Sequence, residues 1–258
     1  MATRYEKEAE FHDALVESGG RRADRFYAVN ESSWAFYRDL LLEEAGRRED
    51  PRILEYGSGI GAYSSLALAK AGYPSIGIDI SAGSVRAAQE RAAREYPAVP
   101  IEYRAMNAEA LELEDDSFDL VAGNGIIHHL DLDRAYAEVA RVLRPTGTAL
   151  FAEPLGHNPL INLYRRLTPD QRTEDEHPLR LADLELAEKY FGRVESWYFH
   201  LLVLAATPLR DTRLFKPMLN ALDRLDRRLF DSVPPSRKLA WYVVFRLSDP
   251  RAKSASRP

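Results

Sequence analysis

The feature that most constrains this chain is the segment Ile53-Leu54-Glu55-Tyr56-Gly57-Ser58-Gly59-Ile60-Gly61-Ala62, where an apolar run meets a glycine-dense turn and then a helical pattern. Glycines here leave backbone N–H groups open to a ligand and tolerate positive φ. The helix N-terminus behind them carries partial positive charge suited to a carboxylate or a phosphate. Strand patterns at 52–56, 75–79, 101–104, 118–123 and 148–152 alternate with helical patterns at 62–71, 84–96 and 134–143. That alternation predicts an α/β fold with a doubly wound parallel sheet, whose ligands lie beyond the carboxyl ends of the strands.

The flanks add to this frame. Residues 1–48 read as an N-terminal helical cap of two helices parted at Gly19-Gly20, with N-cap candidates from Asn30 to Ser33. Strand patterns at 194–205 and 240–247 complete a seven-stranded sheet within a domain over 49–248, leaving a frayed tail at 249–258. Two insertions interrupt it, at 153–180 and 208–236. In the first, Leu160, Leu163, Tyr164 and Leu167 share a helical face expected to pack on the sheet or to act as a lid. In the second, a helix at 214–230 has Leu214, Met218, Leu222, Leu225 and Leu229 on one face. Asp223, Arg224, Asp226, Arg227 and Arg228 are expected on its polar side, and its apolar face suits core packing, a lid or a homodimer contact.

With 258 residues, 45% of them apolar, the chain can bury a sizeable core. Its formal charge of −5 gives no broad positive field, so no nucleic-acid partner is expected. There is no cysteine, which removes disulfides, thiolate metal sites and cysteine nucleophiles. No metal cluster of convincing spacing is visible, so no metal is expected. The charged start is no signal peptide, and the apolar run at 201–206 is too short for a membrane span. Arginine far outnumbers lysine, a bacterial coding bias, and the expectation is a soluble cytoplasmic protein.

Read as G-x-G-x-x-A, the loop fits a dinucleotide fingerprint. Read as E-x-G-x-G-x-G, it resembles motif I of the class I S-adenosyl-L-methionine (SAM)-dependent methyltransferases. Asp79, closing Ile76-Gly77-Ile78-Asp79, suits ribose hydroxyls in either case. The segments after it are more discriminating. Met106-Asn107-Ala108-Glu109 with Asp116-Ser117-Phe118-Asp119-Leu120-Val121, then Asn124-Gly125-Ile126-Ile127-His128-His129-Leu130, resemble that methyltransferase family in order and spacing. So does Arg141-Val142-Leu143-Arg144-Pro145-Thr146-Gly147, although Thr146 stands where the family usually has the first of two glycines.

The resemblance implies a Rossmann-like fold and SAM as cofactor. It places Gly57, Ser58, Gly59 and Gly61 along the methionine part and Glu55 beside its ammonium and sulfonium end. Asp79 would take the ribose hydroxyls and Ile80 would pack on adenine. Asn107 would meet the adenine amino group, helped by the backbone of Ala108 and Glu109, while Asn124 and Gly125 would floor the reactive methyl. His128, His129 and Glu153 are catalytic candidates. Imidazole titrates near neutrality, and Glu153 ends the fifth strand pattern. Tyr27, His157, Tyr164 and His177 are candidates for contact with the substrate. The Asn-Pro-Pro-Tyr type motif of nucleobase amino methylation is absent. The reading is methyl transfer to an O, N or C atom of a small, partly apolar metabolite, of the kind found in secondary metabolism. Two other readings stay open: a SAM-binding protein that transfers no methyl, and an NAD-dependent oxidoreductase.

Overall fold

The computed structural model describes residues 4–17, 29–167 and 178–251. Seven strands form one sheet: β1 (Ile53–Tyr56), β2 (Ser75–Asp79), β3 (Ile101–Ala105), β4 (Phe118–Asn124), β5 (Leu143–Pro154), β6 (Phe191–Phe199) and β7 (Tyr242–Pro250). Their order is β3-β2-β1-β4-β5-β7-β6, with β7 alone antiparallel to its neighbours. The chain direction of the winding reverses between β1 and β4, which opens a crevice at their carboxyl ends. The α/β alternation expected from residues 53–152 is the one observed.

Strands buried on both faces explain the near-continuous apolar runs of β1 and β4. On one face Ile53, Leu120, Leu150 and Val244 pack with Tyr37, Leu40 and Leu41 of α2 (Glu31–Ala45) and Leu68 of α3 (Ser64–Lys70). On the other, Leu54, Val121, Phe151 and Phe245 meet Tyr136 and Val139 of α5 (Leu132–Val142) and Leu184 of α7 (Leu181–Leu186). Each such side chain, fully buried, contributes about 1.5–3 kcal/mol. α4 (Ala82–Glu95) covers β3, and α1 (Arg4–Glu17) packs against α4.

Three expectations are corrected. β6 stops at Phe199, where a strand had been expected to run on to residue 205, and a 3₁₀ run, Leu202–Leu209, follows. The cause is distant in sequence: Asp226 accepts hydrogen bonds from the N–H groups of Leu201 (3.0 Å), Leu202 (2.7 Å) and Val203 (3.2 Å). That contact also reorients α8 (Phe215–Ser232). Asp226 and Asp223 are buried with Phe215, Leu219 and Phe230, while Leu214, Met218 and Leu225 are exposed. The third concerns α6 (Pro159–Leu167). Leu160, Leu163 and Leu167 are 48%, 54% and 72% exposed, so that face does not pack on the sheet. Asn158 sets the rotation, its Oδ1 accepting from Leu160 N and Ile161 N and its Nδ2 donating to Leu239 O, so that Ile161 turns inward.

Candidate active site

The glycine turn joins β1 to α3 with Gly57, Gly59 and Gly61 at φ +62°, +50° and +65°. A Cβ on Gly57 would meet Ile126 at 2.7 Å and one on Gly61 would meet Tyr103 Oη at 2.6 Å. On Gly59 it would meet nothing within 4 Å. Two glycines therefore serve close packing, and the middle one leaves an open cradle over the backbone. Beside that cradle Asp79 is fixed at the end of β2, its carboxylate accepting from Gly59 N and Ser81 N at 2.9 Å each. Burial pushes its pKa up. Glu55, 1% exposed, accepts from Ser64 N (2.8 Å) and Ser65 N (3.1 Å) and so caps α3. Burial raises its pKa to about 7. Ser58 is fully buried and its Oγ has no hydrogen-bond partner among the described residues.

The segment after β3 forms the next wall. Asn107 Oδ1 accepts from Glu109 N at 2.9 Å. Ala108 and Glu109 are buried, and Ile80 is half-buried. Glu109 accepts from Asp131 N (2.8 Å) and Tyr5 Oη (2.8 Å) and pairs with Arg4. Further along α1, Glu8 lies 2.6 Å from His129 Nδ1, and Asp13 accepts from Ser81 Oγ (2.5 Å) and Gly83 N (2.9 Å). Hence α1 spans the crevice from the turn after β4 to the end of β2. Its sequence gives no hint of this, because every one of these contacts crosses more than sixty residues.

Asn124 and Gly125 end β4, with Gly125 at φ +64°. Asn124 Oδ1 accepts from Tyr242 Oη at 3.2 Å, and its buried Nδ2 has no partner among the described residues. Next to them Glu153, fully buried on β5, accepts from Ile126 N and Ile127 N at 2.9 Å each through one oxygen. Its other oxygen lies 2.6 Å from His128 Nδ1. In the neutral ring the proton then sits on Nδ1, facing the carboxylate, and Nε2 is the acceptor. A buried carboxylate that orients an imidazole is the geometry of a general base.

The two histidines thus part company: His128 joins Glu153, His129 joins α1. His157 Nε2 accepts from Leu181 N at 3.2 Å, at the start of α7. Tyr164 is half-buried on α6. Tyr27 and His177 lie outside the described residues. Sequence reading missed Tyr242, which reaches Asn124, and the buried pair Asn30 and His200 behind it. The only signal was position, since Tyr242 and His200 border strands whose ends meet the crevice.

Residues 54–151 match the family described as a methyltransferase domain. That segment is a methyltransferase domain, and the relatives of the chain support a SAM-dependent methyltransferase. SAM is the cofactor of its family, and an NAD-dependent reading is set aside. The likeness extends beyond the matched segment. Methyltransferase GfsG of Streptomyces halstedii is 29% identical over 236 residues, covering 91% of this chain and 78% of that one. Geranyl diphosphate C-methyltransferase from Streptomyces coelicolor A3(2), solved with Mg²⁺, geranyl diphosphate and S-adenosyl-L-homocysteine, aligns with TM-score 0.63 at 14% identity over 96% of this chain and 98% of that one. The cyclase SpnF aligns with TM-score 0.60 at 16% identity over 97% and 98%. Among the described residues no helix of this methyltransferase is long and apolar enough to cross a membrane.

Proposed function

We propose that the chain moves the methyl group of SAM to a hydroxyl of a small, partly apolar metabolite, with His128 as general base. The observation that carries this is the His128–Glu153 pair at the ends of β4 and β5. An acceptor that is already a free nucleophile at neutral pH has no need of a base, whereas an alcohol or phenol does.

SAM, when bound, supplies a methyl on a sulfonium that leaves by in-line displacement. The open backbone at Gly59 and the carboxylate of Asp79 beside it fit its aminoacyl and ribose parts. Asn107 and the Ala108–Glu109 backbone would hold adenine, and Asn124 with Gly125 would line the floor below the methyl. Glu55 acts in this reading through the helix it caps. The acceptor oxygen must come within about 3 Å of the methyl carbon, in line with the breaking bond. As the new oxygen–carbon bond formed and S-adenosylhomocysteine left, the hydroxyl proton would pass to His128 Nε2. Glu153 stabilises the resulting imidazolium, and its two backbone amides keep the carboxylate from following the proton. The leucines exposed on α6 suit an apolar acceptor body, and Tyr164 lies on the same helix.

The test is calorimetric titration with SAM, S-adenosylhomocysteine and NAD, followed by S-adenosylhomocysteine release on a panel of phenols, alcohols, amines and quinols. Micromolar SAM binding with turnover on hydroxyl acceptors is expected. Turnover on amines alone removes the hydroxyl acceptor. SAM binding without turnover on any acceptor indicates a cofactor held for another purpose.

A further inference from the structure

The imidazole of His200 is buried and used by nothing described above. It follows the last residue of β6, in the left-handed region at φ +68° and 1% exposed. Its Nε2 lies 2.8 Å from Ser33 Oγ on α2, and Ser33 Oγ donates to the carbonyl of Asn30 at 3.0 Å. A hydroxyl has one proton. With that proton on the carbonyl, Oγ accepts from Nε2–H, and the tautomer of His200 follows. Nδ1 is then a bare lone pair, buried and without a partner among the described residues. Asn30, 1% exposed, leaves both side-chain amide atoms unpartnered among them as well. Buried acceptors and donors in folded proteins are satisfied by protein, water or ligand, so such a group of orphaned atoms marks a place for a polar guest.

The position relative to the reaction is set by the sheet. Phe199, just before His200, pairs with Tyr242, and Tyr242 pairs with Pro154, next to Glu153. The ring of Tyr242 lies 6.2 Å from that of His200, and its hydroxyl reaches Asn124. On the α2 side Trp34 stacks on Tyr63 at 5.1 Å, just after the glycine turn. Strand order therefore places His200 on the β6–β7 side of β5, away from Asp79 on β2.

We propose that His200 and Asn30 form an acceptor subsite that binds a second hydroxyl of the acceptor, Nδ1 accepting its proton and the Asn30 amide meeting its oxygen. This rests on the reading of the chain as a methyltransferase of hydroxyl-bearing metabolites. Burial holds the His200 pKa near 3, so the ring stays a neutral acceptor through the physiological range. The subsite selects for acceptors that carry a hydrogen-bond donor apart from the methylated group.

Nitrogen-15 NMR of the histidine rings in S-adenosylhomocysteine-saturated protein tests it, with phenol and toluene as probes of matched shape. The expected result is a His200 Nδ1 that is unprotonated at rest and shifts saturably with phenol and not with toluene. His200→Phe is expected to weaken phenol about tenfold with S-adenosylhomocysteine affinity unchanged. Asn30→Ala serves as the second variant, expected to weaken phenol severalfold. A protonated Nδ1, an Nδ1 that phenol leaves unmoved, or equal response to toluene overturns the subsite. Protein that responds to phenol and fails to bind S-adenosylhomocysteine overturns the methyltransferase reading, and with it the role of the subsite in choosing a methyl acceptor, and leaves only a hydroxyl-binding site.

Discussion

The two sides of the crevice use their buried polar groups in opposite ways. On the glycine-turn side Glu55, Asp79, Asn107 and Glu109 each accept from backbone amides or from α1, and the middle glycine keeps the space above it open. On the β6–β7 side Asn30 and His200 keep buried atoms without partners among the described residues, as Asn124 does at the end of β4 and Ser58 in the glycine turn, and the leucines of α6 face outward. A side chain already held by the fold is preorganised for one invariable ligand. Atoms left unsatisfied cost stability and are retained where a ligand completes them. The difference supports the proposed reading, in which the first side holds a shared cofactor and the second a particular acceptor.

The largest expected effect breaks the first side alone. Gly59→Val, at φ +50° and over the open cradle, is expected to abolish SAM binding in calorimetry while circular dichroism shows a folded protein. Binding within tenfold of wild type would remove the cradle from the cofactor site. Next, His128→Ala should lower kcat about 10²–10³-fold, the worth of a general base, with SAM affinity unchanged. Glu153→Gln should follow it, and His129→Ala, paired with α1, should cost little. Equal losses at both histidines would erase the distinction between them. Third, Asp79→Ala should weaken SAM by about 1–3 kcal/mol, the cost of losing hydrogen bonds to a charged partner, read by the same titration.

The fourth prediction sets the two sides against each other through pH. Glu55, with a folded pKa of about 7 against 4.5, contributes stability that is full below 4.5 and lost as pH rises through 7. His200, with a folded pKa of about 3 against 6.5, contributes stability that is full above 6.5 and lost as pH falls toward 3. Between pH 5 and 6.5 the two slopes oppose. Urea unfolding across that window should therefore give a nearly flat profile in wild type. It should rise toward acid in His200→Phe and toward neutral pH in Glu55→Gln, each by up to about 1 kcal/mol per pH unit. The smallest effect is Leu163→Ser on exposed α6, expected to change stability by less than about 0.5 kcal/mol. A larger loss by the same measurement would mean that this face is covered.

Much of the first side was legible in the sequence, because it is written in short-range code. The turn needs glycine within five residues of the β1 pattern, and Asp79 falls at the end of the next strand, so spacing alone locates both. The rest depended on contacts that no local pattern carries. The apolar stretch after Tyr198 reads as a continuing strand, and three amides captured by Asp226 decide against it. The same carboxylate is a polar residue that the helix pattern sends outward and the fold buries. His128 and His129 are neighbours of identical chemistry, and only Glu153 and Glu8, arriving from β5 and α1, separate them.

The sequence by itself determined the alternating α/β sheet, the glycine turn and the acidic residue that follows it. These rest on periodicity and on backbone conformations that few residues tolerate, and both are local. Tertiary structure alone decided which histidine meets a carboxylate, where β6 ends, which face α6 and α8 bury, and that Asn30, Ser33 and His200 meet. Those outcomes rest on hydrogen bonds between groups far apart in the chain, whose partners exist only once the sheet has brought its strand ends together.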